Sequence, residues 1–114
     1  MKLSDLGLEE ILNIVEPIMD NCLDGSNEGN HKKHTRDFTD RMKSIVTPEE
    51  LQRQLSSYPK IYFTDREFLH LFRRSDSIGI VWRQFTSSNN DELINQAIFK
   101  EVGRNILIDH CMIC

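Results

Sequence analysis

The sequence predicts an α+β domain in which three N-terminal helices precede an antiparallel sheet of about five strands. Three observations predict it. Apolar residues recur every three or four positions through the first half of the chain, the period drops to two in the second half, and turn residues separate the alternating runs at hairpin intervals. At 114 residues, with 39% hydrophobic and 28% charged residues, residues 1–114 read as one domain large enough to bury its own core.

The first helix is expected over residues 4–23. Leu8, Ile11, Leu12, Val15, Ile18, Met19 and Cys22 form one apolar stripe. Ser4 is placed to cap it, with Asp5, Glu9 and Glu10 near its positive end. Pro17 removes one backbone hydrogen bond and predicts a kink. Gly25 is expected to end this helix and Ser26 to cap the next. The second helix is expected over residues 27–43, with His34, Phe38, Met42 and Ile45 on its stripe and Lys32, Lys33, Arg36 and Asp40 outside. The third lies in "TPEELQRQL", where Thr47 is the cap, Pro48 opens the first turn and Glu50 can bond back to the cap.

After "SSYPK" the alternation begins. "KIYF" reads as a short strand, and "REFLHLF", "SIGIVWRQFT", "ELINQAIFKEV" and "NILIDHCMIC" as four long ones. The breaks "RSDS", "SSNND" and "VGRN" are hairpin turns, so the strands should follow one another as a meander. Apolar residues fall on both sides of these strands, which predicts that both sheet faces are covered.

Helices first and long strands last, with "CLDGSNEGNHKKHTRDFTDRM" leading into "TPEELQRQL", resembles the nuclear transport factor 2-like superfamily. The resemblance covers nearly the whole chain. It implies a strongly curved sheet wrapped around the first helix, a cone shape with an internal cavity, and a homodimer formed through the open sheet face. That superfamily includes ketosteroid isomerase-like and epoxide hydrolase-like enzymes, polyketide cyclases and transport adaptors, so the likeness leaves the chemistry open.

Composition excludes several classes of function. The formal charge of −4 argues against nucleic acid as a partner, because phosphate neutralisation drives that binding. No apolar run reaches the length that crosses a bilayer, and no signal-peptide pattern is expected at the N-terminus. Cys111 stands fourth from the end, but Cys114 is not a usual terminal residue of a prenylation signal. Three cysteines suit a reducing compartment, the cytoplasm. No cofactor motif is present.

Two stretches invite a metal or redox reading. In "DHCMIC" strict alternation splits the side chains: Ile106, Ile108, His110, Met112 and Cys114 take one face, and Leu107, Asp109, Cys111 and Ile113 the other. Cys111 and Cys114 then diverge, and no helix follows to activate a redox pair. In "HKKHTRD", His31, His34 and Asp37 drift around a helix rather than converge. No metal is expected at either.

The candidates for cavity chemistry are Asp109, His70 and Arg83 as catalytic groups, with Tyr62, His70, Trp82 and Asp109 as pocket walls; His110 is a further ionisable strand residue. Asp109 against apolar neighbours would have a raised pKa suited to a general base, or else form an ion pair with Arg83 that only fixes packing. The leading expectation is a binding domain for a small apolar ligand or a protein partner. The alternative is an isomerase, hydrolase or cyclase using Asp109 or His70 as base.

Overall fold

The protein, described by a computed structural model over residues 2–56 and 61–114, is two layers thick. A helical layer packs on one face of a four-stranded antiparallel sheet, and the other face carries no helix. The principal extents of 44 × 30 × 17 Å fit a sheet and one helical layer, since such layers stack about 10 Å apart.

A 3-10 turn, Leu3–Asp5, precedes α1, Leu8–Glu28. Gly7 rather than Ser4 holds the cap position, and the Glu10 carboxylate accepts the Gly7 N–H at 3.4 Å. The helix runs through Pro17 and buries Ile11, Val15, Met19, Cys22 and Leu23 on the expected stripe. It continues past Gly25 and stops at Gly29, whose φ of 67° supplies the left-handed termination. Gly25 has a different role. A Cβ there would collide with the backbone N and Cα of His34 and lie 2.9 Å from the Lys33 carbonyl carbon, so only glycine lets the next helix press this close.

The expected second helix is two helices. Asn30 caps α2, His31–His34, and Thr39 caps α3, Asp40–Ile45. The chain between them is drawn out against the sheet, where Ile108 donates to Asp37 O at 2.7 Å and Thr39 donates to Ile108 O at 2.9 Å. Helical periodicity at Phe38 and Met42 survives because both residues still bury toward the core. The following helix, α4, Pro48–Gln54, starts as expected, with Thr47 Oγ1 accepting the Glu50 N–H at 3.1 Å. The Glu50 carboxylate turns to Arg53 and Gln54 instead of the cap.

The strands are β1, Phe63–Arg73; β2, Ile78–Thr86; β3, Leu93–Val102; and β4, Asn105–Ile113, in the spatial order β1-β2-β3-β4. The meander is as expected, and the strand count is corrected. "KIYF" is not a separate strand: Lys60 lies outside the described residues, Ile61 and Tyr62 are not in a strand, and Phe63 opens β1. The sheet is neither strongly curled nor closed. The fold therefore stays α+β, but the described residues form four α-helices and four strands in place of three helices around a five-stranded cone.

The inner face carries Ile78, Ile80 and Trp82 of β2 and Ala97 and Phe99 of β3, all nearly inaccessible, against α1. Their neighbours on the outer face include Phe72, Ile94 and Met112, which are about half exposed at 50%, 52% and 48%. Coverage of both faces was expected; only the inner one is covered.

Candidate functional site

A cavity of about 440 Å³ lies between the C-terminal half of α1, the α2–α4 segment and the ends of β1 and β4. Helix α1 supplies Cys22, Leu23 and Ser26, because these fall on the stripe that faces the sheet. The next segments add His34, Phe38, Met42, Val46 and, from α4, Gln54. The strands close it with Phe63 and with Cys111, Met112 and Ile113. Among the described residues no Asp, Glu, Lys or Arg lines it.

His34 gives the cavity its orientation. Its Nδ1 lies 2.7 Å from the carbonyl oxygen of Cys22, an acceptor, so Nδ1 carries the proton and Nε2 is left as an acceptor. The ring stands edge-on to Phe38, 5.2 Å between centroids. Burial lowers its pKa from the ordinary histidine value, outweighing the raising effect of the Cys22 carbonyl, so the ring is neutral near pH 7. Close packing at Gly25 sets the His34 backbone against α1, with Asn21 Nδ2 donating to Lys33 O at 2.9 Å on the same seam.

Two thiols share the wall. Cys22 Sγ lies 3.6 Å from His34 Nδ1, and Cys111 is the neighbour that interacts with it most strongly. The interaction with Cys111, and then burial, push the Cys22 thiol well above its ordinary pKa. Cys111 in turn lies 3.8 Å from Asn95 Oδ1. Asn95 Nδ2 donates to Gln84 Oε1 at 3.1 Å, and Gln84 donates onward to the Asp65 and Phe85 carbonyls. This chain satisfies the polar groups buried on the inner face.

Register explains why Cys111 reaches the cavity. Ile98 pairs with His110 and Phe99 with Ile108, so Asp109 is an extra residue, a β-bulge. The alternation expected from sequence resets there. Ile106, Ile108, Cys111 and Ile113 pack toward the core, while His110 and Met112 pair with the outer-face residues Ile98 and Gln96. A strict two-residue period had put Cys111 opposite Ile108.

The residues singled out from sequence lie in four places. Asp109, at the bulge, accepts from Thr39 Oγ1 at 2.8 Å and Arg41 Nε at 3.2 Å, with Lys100 Nζ at 3.6 Å. Partial burial raises its pKa, but Thr39, Arg41 and Lys100 together outweigh that and hold the carboxyl below the ordinary aspartate value, the reverse of the direction expected. Its ion pair is with Arg41, not Arg83. Arg83 lies on the outer face with Glu67 at 3.1 Å and Glu92 at 2.7 Å. His70 is exposed on the same face, edge-on to Phe72 at 4.6 Å. Trp82 is fully buried under α1, donating Nε1–H to Glu16 Oε2 at 3.0 Å beneath the Arg66 guanidinium. Tyr62 is 42% exposed before β1 and pairs its backbone with Ser87.

The structure thus brings together Cys22, His34 and Cys111, and it does not bring together Asp109, His70 and Tyr62. The sequence carried part of this signal: Cys22 lay on the α1 stripe, and His34 and Phe38 shared one of their own. His31, His34 and Asp37 do not converge, since His31 Nε2 is 2.7 Å from Val46 O and Asp37 pairs with Arg36. Among the described residues no cluster of three His, Cys, Asp or Glu side chains is arranged to hold a metal, and no helix is long and apolar enough to cross a membrane.

No protein-family model and no curated protein matches the chain. Among solved structures it is similar to a DUF4783 family protein from Bacteroides uniformis, with 14% identity and a TM-score of 0.53 over 82% of this chain and 93% of that one. A second DUF4783 family protein, from Bacteroides ovatus, aligns at 14% identity with a TM-score of 0.48 over 82% and 90%. At such identity the first likeness shows the fold alone. The resemblance to the nuclear transport factor 2-like superfamily is supported only as far as the α+β class.

Proposed function

We propose that this chain is a binding domain whose cavity takes a small, neutral, mostly apolar molecule carrying one hydrogen-bond donor. The observation that carries the reading is a space of about 440 Å³ walled mostly by apolar side chains, with no charged residue among the described ones and one neutral histidine. Ligand pockets are typically of this size and makeup. A charged ligand would lose its hydration without a counter-charge, whereas an O–H or N–H donor gains the acceptor Nε2 of His34. Binding is favoured over proton transfer because Asp109 is committed to three partners as a carboxylate and His70 lies on the far face.

N-phenylnaphthylamine, a neutral fluorophore with one N–H, tests this. Saturable binding at one site per chain is expected, weakened at least about tenfold, or about 1.4 kcal/mol, by Val46→Phe, which fills the cavity. Affinity should also fall as pH drops below the ordinary histidine range, because protonated His34 no longer accepts. The proposal fails if the parent shows no saturable signal, or if Val46→Phe binds as well as the parent.

A second reading concerns the outer face. There Phe72, Ile94 and Met112 are half exposed, and the charges among them are already paired, Arg83 with Glu67 and Glu92. A second copy of the chain, meeting face to face as a homodimer in the cytoplasm, would cover this surface without stranding a charge. Light scattering across a concentration series should give twice the chain mass for the parent and a single chain for Ile94→Lys. A monomeric parent at every concentration refutes it.

A further inference from the structure

We propose that Cys22 and Cys111 form a reversible intramolecular disulfide across the cavity wall when the chain meets a hydroperoxide. The two residues come from elements far apart in sequence, the α1 stripe and the core side of β4 beyond the bulge, yet they pack in one core cluster, line the same cavity and interact through their thiols.

The surroundings assign the two sulfurs different roles. Cys22 is 2% exposed and held among apolar residues; it is inert as a first nucleophile. Cys111 is half-buried and reached through the cavity. Its thiolate attacks one oxygen of the hydroperoxide: an S–O bond forms, the O–O bond breaks, and the alcohol leaves with a proton. The Cys111 sulfenic acid is then within reach of Cys22, whose sulfur attacks it. The S–S bond forms, the S–O bond breaks, and water leaves with the Cys22 proton. Overall two thiols lose two electrons and two protons, and the hydroperoxide is reduced to an alcohol and water. An external dithiol reverses the step.

The consequence for the cavity rests on the binding role proposed above. The bridge would tie α1 to β4 where Cys22 and Cys111 form one wall, and draw that wall inward. Oxidation should therefore weaken uptake of the neutral probe, coupling occupancy to redox state.

The test is intact and peptide mass spectrometry of the full chain after treatment with tert-butyl hydroperoxide. The expected result is loss of two hydrogens per chain, a cross-linked peptide joining Cys22 to Cys111, and recovery with dithiothreitol. Cys114→Ser should behave as the parent, because Cys114 is exposed beyond the strand. Cys111→Ser should show no such loss, and its circular dichroism checks that the fold is kept. A bridge to Cys114, or oxygen addition at Cys111 without a bridge, overturns the proposal. So does an unchanged parent mass. Probe titration before and after oxidation is read separately. A reduced chain that never binds probe defeats the ligand reading and leaves the disulfide standing, and equal binding in both states defeats the coupling.

Discussion

The two faces of the sheet are made of the same strands and solve opposite problems. On the inner face the polar groups that had to be buried are all satisfied: Trp82 by Glu16, Gln84 by backbone carbonyls, Asn95 by Gln84 and Cys111. On the outer face the apolar groups that could have been buried are left at the surface, Phe72, Ile94 and Met112 among them. Polarity alone therefore does not sort the faces. The helical layer does, because α1 reaches over one face and closes its polar pairs, and the cavity is the part of that seam it leaves unfilled.

The sharpest way to break this contrast is to remove the residue that joins the layers. Trp82 is packed against Phe99 at 6.3 Å and bonded to Glu16, which also takes Arg66 at 2.8 Å. Trp82→Ala leaves a cavity and strips Glu16 of a partner, so a loss of about 3–5 kcal/mol is expected in urea unfolding. Phe72→Ala on the outer face should cost less than about 1 kcal/mol in the monomer. Similar losses at the two sites would show that both faces are core.

A smaller effect probes the cavity side of the seam. Gly25→Ala places a Cβ against the His34 backbone, where neither chain can yield by a side-chain rotation. Overpacking of this kind costs about 1–3 kcal/mol. It should also displace the His34 ring, so the probe affinity should fall with the stability. Gly103→Ala, in a turn with φ 63° but open space around it, should cost about 1 kcal/mol and leave probe binding intact.

These residues also mark what the sequence could and could not reveal. β2 was legible side chain by side chain: Ile78, Ile80 and Trp82 lie inward and Val81 and Phe85 outward, because it carries no extra residue itself and pairs with β3 without a shift. β1 and β4 were legible only up to their bulges. An extra residue at Leu69 and another at Asp109 shift the alternation, so His70 leaves the face of Phe68 and Cys111 joins that of Ile108. A bulge is set by what the neighbouring strand and loop require, and no local pattern announces it. Thr47-Pro48 marked a helix start correctly since a cap is a local hydrogen bond. Gly25 misled because its reason is the backbone of α2, a contact that exists only after folding. The cavity trio was missed for the same cause: Cys22 and His34 are twelve residues apart, and Cys111 is placed beside them by the Asp109 bulge.

Asp109 lies where the two faces meet, and it gives the smallest and most specific test. It joins α3, through Thr39 and Arg41, to Lys100 on the outer side of β3. Its folded pKa is below the ordinary value of 3.8. A depressed carboxylate contributes stability that is complete above the unfolded pKa and disappears as pH falls through the folded one. Asp109→Asn keeps an acceptor for Thr39 but removes the charge, so at pH 7 a loss of about 0.5–1 kcal/mol is expected. The difference from the parent should hold down to the ordinary aspartate pKa, shrink below it, and vanish once the parent carboxyl is protonated. Unfolding curves for both proteins through that acid range make the check. A difference that instead closes between pH 5 and 7 would mean a raised pKa at Asp109, and with it the general-base role that the present geometry argues against.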